Sequence, residues 1–94
     1  MKKITQGNWE VSGTTKGLNG LYIKADNQNI AQVFSSIPEC EQNAKLIAAS
    51  PILYNAAYSA LQAIYAMPKK KQAFYKYLIN DLLNAIQKAN GTII

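Results

Sequence analysis

The sequence contains no histidine and no arginine, and its 94 residues include one cysteine and five carboxylates. Without imidazole, a Ser-His-Asp triad and a zinc finger with histidine ligands are excluded. A single thiol excludes a disulfide framework. Five carboxylates offer few clusters that could hold a metal ion. We therefore expect a protein that is not an enzyme and that needs no metal ion or other cofactor.

Long apolar runs are also lacking. No run approaches the roughly 20 residues that a membrane-spanning helix needs. Polar residues follow Ile4 at once, so the charged start is not predicted to be a signal peptide. The lone Cys40 is typical of a protein from a reducing compartment. These features predict a cytoplasmic protein with no membrane association.

Positive charge is concentrated in the second half of the chain. The net charge is +5, from ten lysines and five carboxylates. Residues 1–43 are balanced, whereas residues 44–94 carry six lysines and a single carboxylate, with most of the excess in residues 69–76. Such asymmetry indicates an anionic partner. The alternative is that the lysines only keep a small apolar protein soluble.

Alternating polarity and turn residues predict three short antiparallel strands, over residues 9–12, 21–24 and 30–34. Asn19 followed by Gly20 is a strong hairpin signal, because both residues tolerate positive φ. Residues 26–29 form a polar turn cluster. Three short strands are not stable alone, so we expect the rest of the chain to cover one face of this sheet.

Helical signals follow, over residues 39–49, 52–67 and 69–90. Ser50 and Pro51 suit the N-cap and first position of a new helix. Apolar spacing predicts the buried faces. The predicted buried residues are Leu46 and Ile47 in the first helix, with Ala44, Ala48 and Ala49 allowing close approach; Leu53, Ala57, Ala60, Ile64 and Met67 in the second; and Phe74, Tyr75, Leu78, Ile79, Leu82, Leu83 and Ile86 in the third.

These elements predict an α+β fold in which a small three-stranded antiparallel N-terminal sheet is packed by two to three C-terminal helices. We interpret residues 1–94 as a single domain, with a β-meander over about 8–35 and a helical part over about 39–90. Pro68 is expected to end or kink the second helix, and Gly91 to end the third.

Three strings of residues resemble a class of small phage and prophage proteins. They are W-x-V at Trp9, I-A-x-V at Ile30, and N-A-x-L-I-A-A-x-P-x-L from Asn43 to Leu53. The resemblance covers about residues 5–54. The sequence departs from the pattern at two positions, where Ile52 replaces an acidic residue and Tyr54 replaces a leucine. Residues beyond about 66 carry no part of it, so we interpret the basic third helix as this protein's own elaboration.

The resemblance implies a phage or prophage accessory protein acting in the cytoplasm of a bacterial host, and it implies no enzymatic activity. Small accessory phage genes often encode inhibitors of host defences. By that analogy, we expect a protein that binds and neutralises a host defence protein, as anti-CRISPR proteins do, or that sequesters an anionic nucleotide signal. The alternative is a nonspecific nucleic-acid-binding accessory protein.

Lysines and tyrosines interleave around residues 69–77, a combination that can hold phosphate and stack on a base. Lysine lacks the bidentate geometry of arginine, which argues against sequence-specific reading of DNA. The alternative is an ordinary solvated helix face. The predicted contact residues are Lys69, Lys70, Lys71 and Lys76 for charge, and Tyr58, Tyr65, Tyr75 and Tyr77 for stacking.

The second predicted helix carries almost no charge, which is typical of a helix packed on most sides or against a partner. Its tyrosine stripe, Tyr54, Tyr58 and Tyr65, suits a subunit interface because a tyrosine ring buries area while its hydroxyl stays hydrated. We therefore expect a homodimer through this helix, with an external ligand as the alternative. Cys40 is not expected to be catalytic, because no histidine can activate it.

Overall fold

The computed structural model describes residues 4–13 and 20–91. In these residues, three antiparallel strands precede four helices, which confirms the predicted α+β class. The chain divides into two compact units, called here the first unit (residues 3–51) and the second unit (residues 52–94 with residues 1–2). The interpretation of residues 1–94 as one domain stays a prediction.

The sheet of the first unit has the order β1-β2-β3. Its strands are β1 (Trp9–Gly13), β2 (Leu21–Ala25) and β3 (Gln28–Val33). Both pairings are antiparallel, and Ile23 in the central strand faces Val11 on one side and Ala31 on the other. The alternation of β2 puts Leu21, Ile23 and Ala25 on a single buried face.

The connection between β2 and β3 is tighter than predicted. Only Asp26 and Asn27 form the turn, and Gln28 and Asn29, predicted as turn residues, already belong to β3. Asp26 has φ of 55°, a left-handed conformation that aspartate tolerates better than most residues. In the other predicted hairpin signal, Asn19 lies outside the described residues, and Gly20 has φ of 77°.

Helix α1 (Cys40–Ala48) covers the sheet. Cys40 and Ala44 are buried, and Ile47 and Ala48 pack against the same cluster, so the stripe has the i, i+4, i+7, i+8 spacing of a helix face. Leu46 was predicted on this face, but it is 62% exposed. It lies about 200° around the helix from Ala44, at about 100° per residue. The prediction for Leu46 was therefore wrong.

The chain between α1 and α2 (Ser50–Tyr65) confirms a helix restart near Pro51, but not its predicted capping. The Ser50 hydroxyl donates a hydrogen bond back to the Leu46 carbonyl oxygen at 3.2 Å. This is the i−4 bonding that serine makes inside helices, so Ser50 is not a side-chain N-cap. Only Ala49, with φ of −81° and ψ of −7°, separates the two helices.

The second unit contains most of α2, together with α3 (Lys69–Phe74) and α4 (Lys76–Asn90). The single third helix predicted over residues 69–90 was wrong, because Tyr75 interrupts it with φ of −106° and ψ of 19°. The Tyr75 amide donates to the Gln72 carbonyl at 2.9 Å, three residues back, as in a tightened last turn. Gly91 ends α4 in the left-handed conformation, as predicted.

The interruption at Tyr75 changes which side chains are buried. Ile86 is buried and Ile79, Leu82 and Leu83 are half-buried, as predicted, but Phe74 is 86% exposed, and Tyr75 and Leu78 are exposed as well. On α2 the buried residues are Leu61 and Ile64, whereas Leu53 and Ala60, predicted as buried, are exposed.

Among the helices in the described part of the chain, none combines the length and the apolar character that a membrane span requires.

Candidate functional site

The most charged part of the described chain is the corner between α2 and α3. Pro68 turns the chain there with φ of −58° and ψ of 150°, and its carbonyl oxygen accepts the amides of Lys71 at 2.9 Å and Gln72 at 3.1 Å. Proline fits this position because its φ is already restricted and an amide is not needed before the first turn of a helix. At this corner, α3 therefore begins directly after the short connection that follows α2.

Gln72 joins the two helices through its side chain. Its amide nitrogen Nε2 donates to the Met67 carbonyl at 2.8 Å and to the Tyr65 carbonyl at 3.2 Å. The Tyr65 carbonyl belongs to the last residue of α2 and the Met67 carbonyl lies just beyond it, so no further turn of that helix supplies amides to them. Gln72 thus satisfies the end of α2 and holds α3 against it. Sequence analysis did not identify this residue.

We expect Gln72→Ala to destabilise the helices of the second unit by about 1–3 kcal/mol, because two neutral hydrogen bonds contribute about 0.5–1.5 kcal/mol each. Urea unfolding followed by helical circular dichroism measures this loss. Gln62→Ala is the matched control, since Gln62 is an exposed glutamine on α2 and its replacement should change stability by no more than about 0.5 kcal/mol. Equal effects for the two variants would contradict this role of Gln72.

An open apolar groove of about 500 Å³ lies at this corner, and it is called here the corner groove. Among the described residues, Lys71 is the charged member of its lining. Phe74 and Tyr75 line it from the α3 side, and the interruption of the helix at Tyr75 leaves both rings exposed. The lining residues are Ala66, Met67, Pro68, Lys71, Phe74 and Tyr75.

The predicted lysines lie within or next to the chain segment that lines the groove, and all of them are exposed. They and the two neighbouring tyrosines are called here the basic aromatic surface: Lys69, Lys70, Lys71, Tyr75, Lys76 and Tyr77. Within the described residues, none of these lysines forms an ion pair, whereas Lys45 in the first unit pairs with Glu41 at 3.6 Å. The second unit holds one carboxylate among its described residues, Asp81, so the positive field is largely uncompensated.

The predicted tyrosines are not all brought together. Tyr75 lines the corner groove, and Tyr77 is 81% exposed at the start of α4. Tyr58 instead stacks on Tyr54, one turn earlier on α2, with ring centroids 6.3 Å apart. The Tyr54 hydroxyl donates to Oδ1 of Asn90 at 3.2 Å, which ties the start of α2 to the end of α4. Tyr65 is exposed at the end of α2.

The first unit has a second, smaller groove of about 290 Å³ between α1 and the end of β3. Phe34, Ile37 and Leu46 line it and are exposed by 60%, 39% and 62%. None of the described residues that line it is charged, so it offers apolar contact without the charge of the corner groove. Asn43 and Leu46 of the phage-like motif belong to it, and sequence analysis had assigned Leu46 to the core instead.

Groups suited to catalysis are dispersed in the described residues. Cys40 is buried, and its thiol donates a hydrogen bond to the Val33 carbonyl oxygen at 3.4 Å. The thiol is therefore part of the packed core. Across residues 4–13 and 20–91, no three acidic or thiol side chains come close enough to hold a metal ion together.

Comparison with known proteins places the chain in a family. The model of the family described as Salmonella phage P22 protein Y8K6 matches residues 1–93. The chain belongs to this family. The match confirms the resemblance to phage proteins, whereas the particular sequence pattern at Asn43 to Leu53 stays a prediction. No curated protein and no solved structure matches the chain.

The extent of the family match corrects one interpretation. Residues beyond about 66 were interpreted as this protein's own elaboration, but the family match runs to residue 93. The corner groove, α3 and α4 therefore lie within the part of the chain that the family model covers. The basic aromatic surface is part of the same matched segment as the sheet.

Proposed function

We propose that this phage protein is a non-enzymatic accessory protein that binds and neutralises a host component through the basic aromatic surface. The carrying observation is the set of exposed lysines on α3 and at the start of α4, which pair with no carboxylate among the described residues. Lys69 and Lys70 stand at the beginning of a helix, where a positive charge is unfavourable by a few tenths of a kcal/mol. Because these lysines do not stabilise the helix, a role in binding explains their position better than a role in helix stability does.

The proposed component is anionic, either a host defence protein, as for anti-CRISPR proteins, or a nucleotide signal. A positive surface next to exposed aromatic rings attracts such a partner over distance and then offers apolar area for contact. Phe74 and Tyr77, exposed by 86% and 81%, supply that area. The bacterial cytoplasm is the proposed place of action.

A purely binding role agrees with the side-chain chemistry of the chain. The single thiol is buried in the core, and the sequence supplies no imidazole to act as a base. Binding requires only a complementary surface, and the protein would act by occupying its target. Neither a metal ion nor another cofactor is part of the proposal.

A homodimer through α2 is also proposed. Tyr58 and Tyr65 are exposed by 47% and 45% on this helix, and Ile52 and Leu53 at its start are exposed by 67% and 52%. An uncharged helix with this much exposed apolar surface is suited to pairing with a second copy. Sedimentation of Tyr58→Lys against the unchanged protein tests this, since a charge in the interface would convert a dimer to monomers.

Nonspecific nucleic-acid binding is the second candidate function. It is favoured by one observation, the 81% exposure of Tyr77 directly beside Lys76, which would let a base stack while the lysine contacts a phosphate. Such binding weakens with salt, by about one unit of log–log slope for each phosphate contact. A protein target would show a shallower slope and a fixed stoichiometry.

Charge reversal tests the proposed function. We expect Lys70→Glu with Lys71→Glu to reduce capture of a host partner from nuclease-treated bacterial lysate at least about tenfold, because two rim charges then repel an anionic partner. Lys45→Glu with Lys88→Glu is the matched control, with the same change in net charge at two other exposed lysines. Unchanged capture by the first variant, or equal loss in both, would rule out the basic aromatic surface as the binding site.

A further inference from the structure

The corner groove differs from an ordinary lysine patch in its apolar lining. Apart from Lys71, its lining side chains are Ala66, Met67, Pro68, Phe74 and Tyr75. Its volume of about 500 Å³ lies within the range of about 300–1,000 Å³ that small ligands occupy in proteins. A methionine side chain adapts well to an inserted apolar group. The groove is therefore suited to an apolar side chain rather than to a phosphate chain alone.

The surroundings of the groove select for negative charge beside that apolar group. Lys71 is in the lining, Lys69 and Lys70 precede it on α3, and Lys76 follows Tyr75 directly. None of the described residues in the lining is a carboxylate that would repel an acidic ligand. Charge complementarity therefore favours a ligand that carries acidic residues on both sides of one bulky apolar residue.

We propose that the corner groove binds an acidic peptide segment of a partner protein, with one large apolar side chain inserted between Met67 and Phe74 and flanking carboxylates paired with the lysines. This proposal rests on the proposed function and names its partner chemistry. A nucleic acid fits the groove itself less well, because half of the described lining, Ala66, Met67 and Pro68, has no aromatic ring on which a base could stack, and Lys71 is the one cation in that lining for a phosphate.

The groove is held in shape before binding. Gln72 bonds α3 to the end of α2, and the restricted φ of Pro68 fixes the turn between them. A preformed site loses less conformational entropy when it binds. Lys71 and Phe74 are exposed, so they can be replaced without removing core contacts.

The test measures binding of a fluorescein-labelled peptide in which a single phenylalanine is flanked by glutamates. We expect saturable binding, weakened at least about tenfold by Phe74→Ala, because loss of a central aromatic anchor removes more than about 1.4 kcal/mol. Lys71→Gln should weaken it about threefold. The same peptide with glutamines in place of glutamates should bind at least about tenfold more weakly.

Two variants serve as matched controls. Leu46→Ala truncates an exposed apolar residue on α1, in the first unit. Lys88→Gln removes an exposed lysine about 18 Å along α4 from Lys76. Both should leave peptide binding within about twofold of the unchanged protein. The proposal is overturned if Phe74→Ala and Leu46→Ala have equal effects, or if single-stranded DNA binds while the peptide does not.

The two proposals fail in different ways. If Lys70→Glu with Lys71→Glu abolishes capture of the host partner while Phe74→Ala changes neither capture nor peptide binding, the groove proposal is wrong and the proposed function stands. If the peptide binds in the groove but the charge reversals leave host capture intact, the proposed function is wrong and the groove is a peptide site of another role.

Discussion

Replacing Ile23 with alanine is expected to remove about 2–5 kcal/mol of stability from the first unit, the range for truncating a fully buried isoleucine. Ile23 is 0% exposed at the centre of the middle strand. Leu21, Val33, Cys40 and Ala44 are in the same cluster, so truncation leaves a cavity between the sheet and α1. A chain of this length has roughly 5–14 kcal/mol in total, at about 0.05–0.15 kcal/mol per residue, so this loss is large.

Trp9 is the probe for this measurement. It is the single tryptophan of the chain, it lies in β1, and it packs against the cluster that contains Ile23. Urea unfolding followed by its fluorescence therefore reports on the first unit. Leu46→Ala removes as many side-chain carbons within the first unit, at a side chain that is 62% exposed, and should change stability by no more than about 0.5 kcal/mol. A loss below about 1 kcal/mol at Ile23 would contradict the packing described.

Gly20→Ala is expected to be similarly damaging, with a loss of about 2–5 kcal/mol. Gly20 has φ of 77°, where a side chain costs roughly 1–2 kcal/mol. An added Cβ would also overlap the Val33 carbonyl oxygen and stand 2.8 Å from the Ser35 amide nitrogen. Both are backbone atoms at the end of β3, so relief requires moving the strand, and overpacking of this kind typically costs a further 1–3 kcal/mol, roughly.

Gly91→Ala separates the two causes. Gly91 has φ of 75°, almost the same as Gly20, but an added Cβ there meets nothing within 4 Å. Its replacement should therefore show the conformational cost alone, about 1–2 kcal/mol, measured by helical circular dichroism in urea. The loss of stability in Gly20→Ala is measured by Trp9 fluorescence. Its excess over the loss in Gly91→Ala gives the steric part of the cost. If Gly20→Ala lost no more than Gly91→Ala, the close approach of Gly20 to β3 would be wrong.

The sheet could be predicted well because its signals are local. Alternating polarity marks each strand, and the turn residues between them limit the register. The buried face of β2 follows directly from the period of two. What could not be predicted was the length of the turn at Asp26, since Gln28 and Asn29 have turn-like composition but pair with β2.

The helices show where local signals fail. Pro51, Pro68 and Gly91 mark restarts or ends, and each lies at or beside a helix boundary. Tyr75 is neither glycine nor proline, so nothing in the sequence signals the interruption between α3 and α4. Continuing the helix through it assigned Phe74 to a buried face, whereas its ring is exposed.

The candidate site was predictable in its charge but not in its shape. The run of lysines at residues 69–71 and the neighbouring tyrosines are visible in the sequence. The groove depends on Gln72 reaching back to carbonyls five and seven residues earlier, which no periodic pattern reveals. Tyr58 was grouped with the site by composition, but its ring stacks on Tyr54 along α2.

Hydrogen–deuterium exchange of the chain, free and in the complex captured from bacterial lysate, tests the binding surface most directly. Amides of the short, exposed α3 should exchange quickly in the free protein, because local opening there disrupts few contacts. We expect the partner to slow amide exchange in peptides covering residues 66–77. Protection confined to the first unit, around β3 and α1, or no protection at all in residues 66–77, would contradict it.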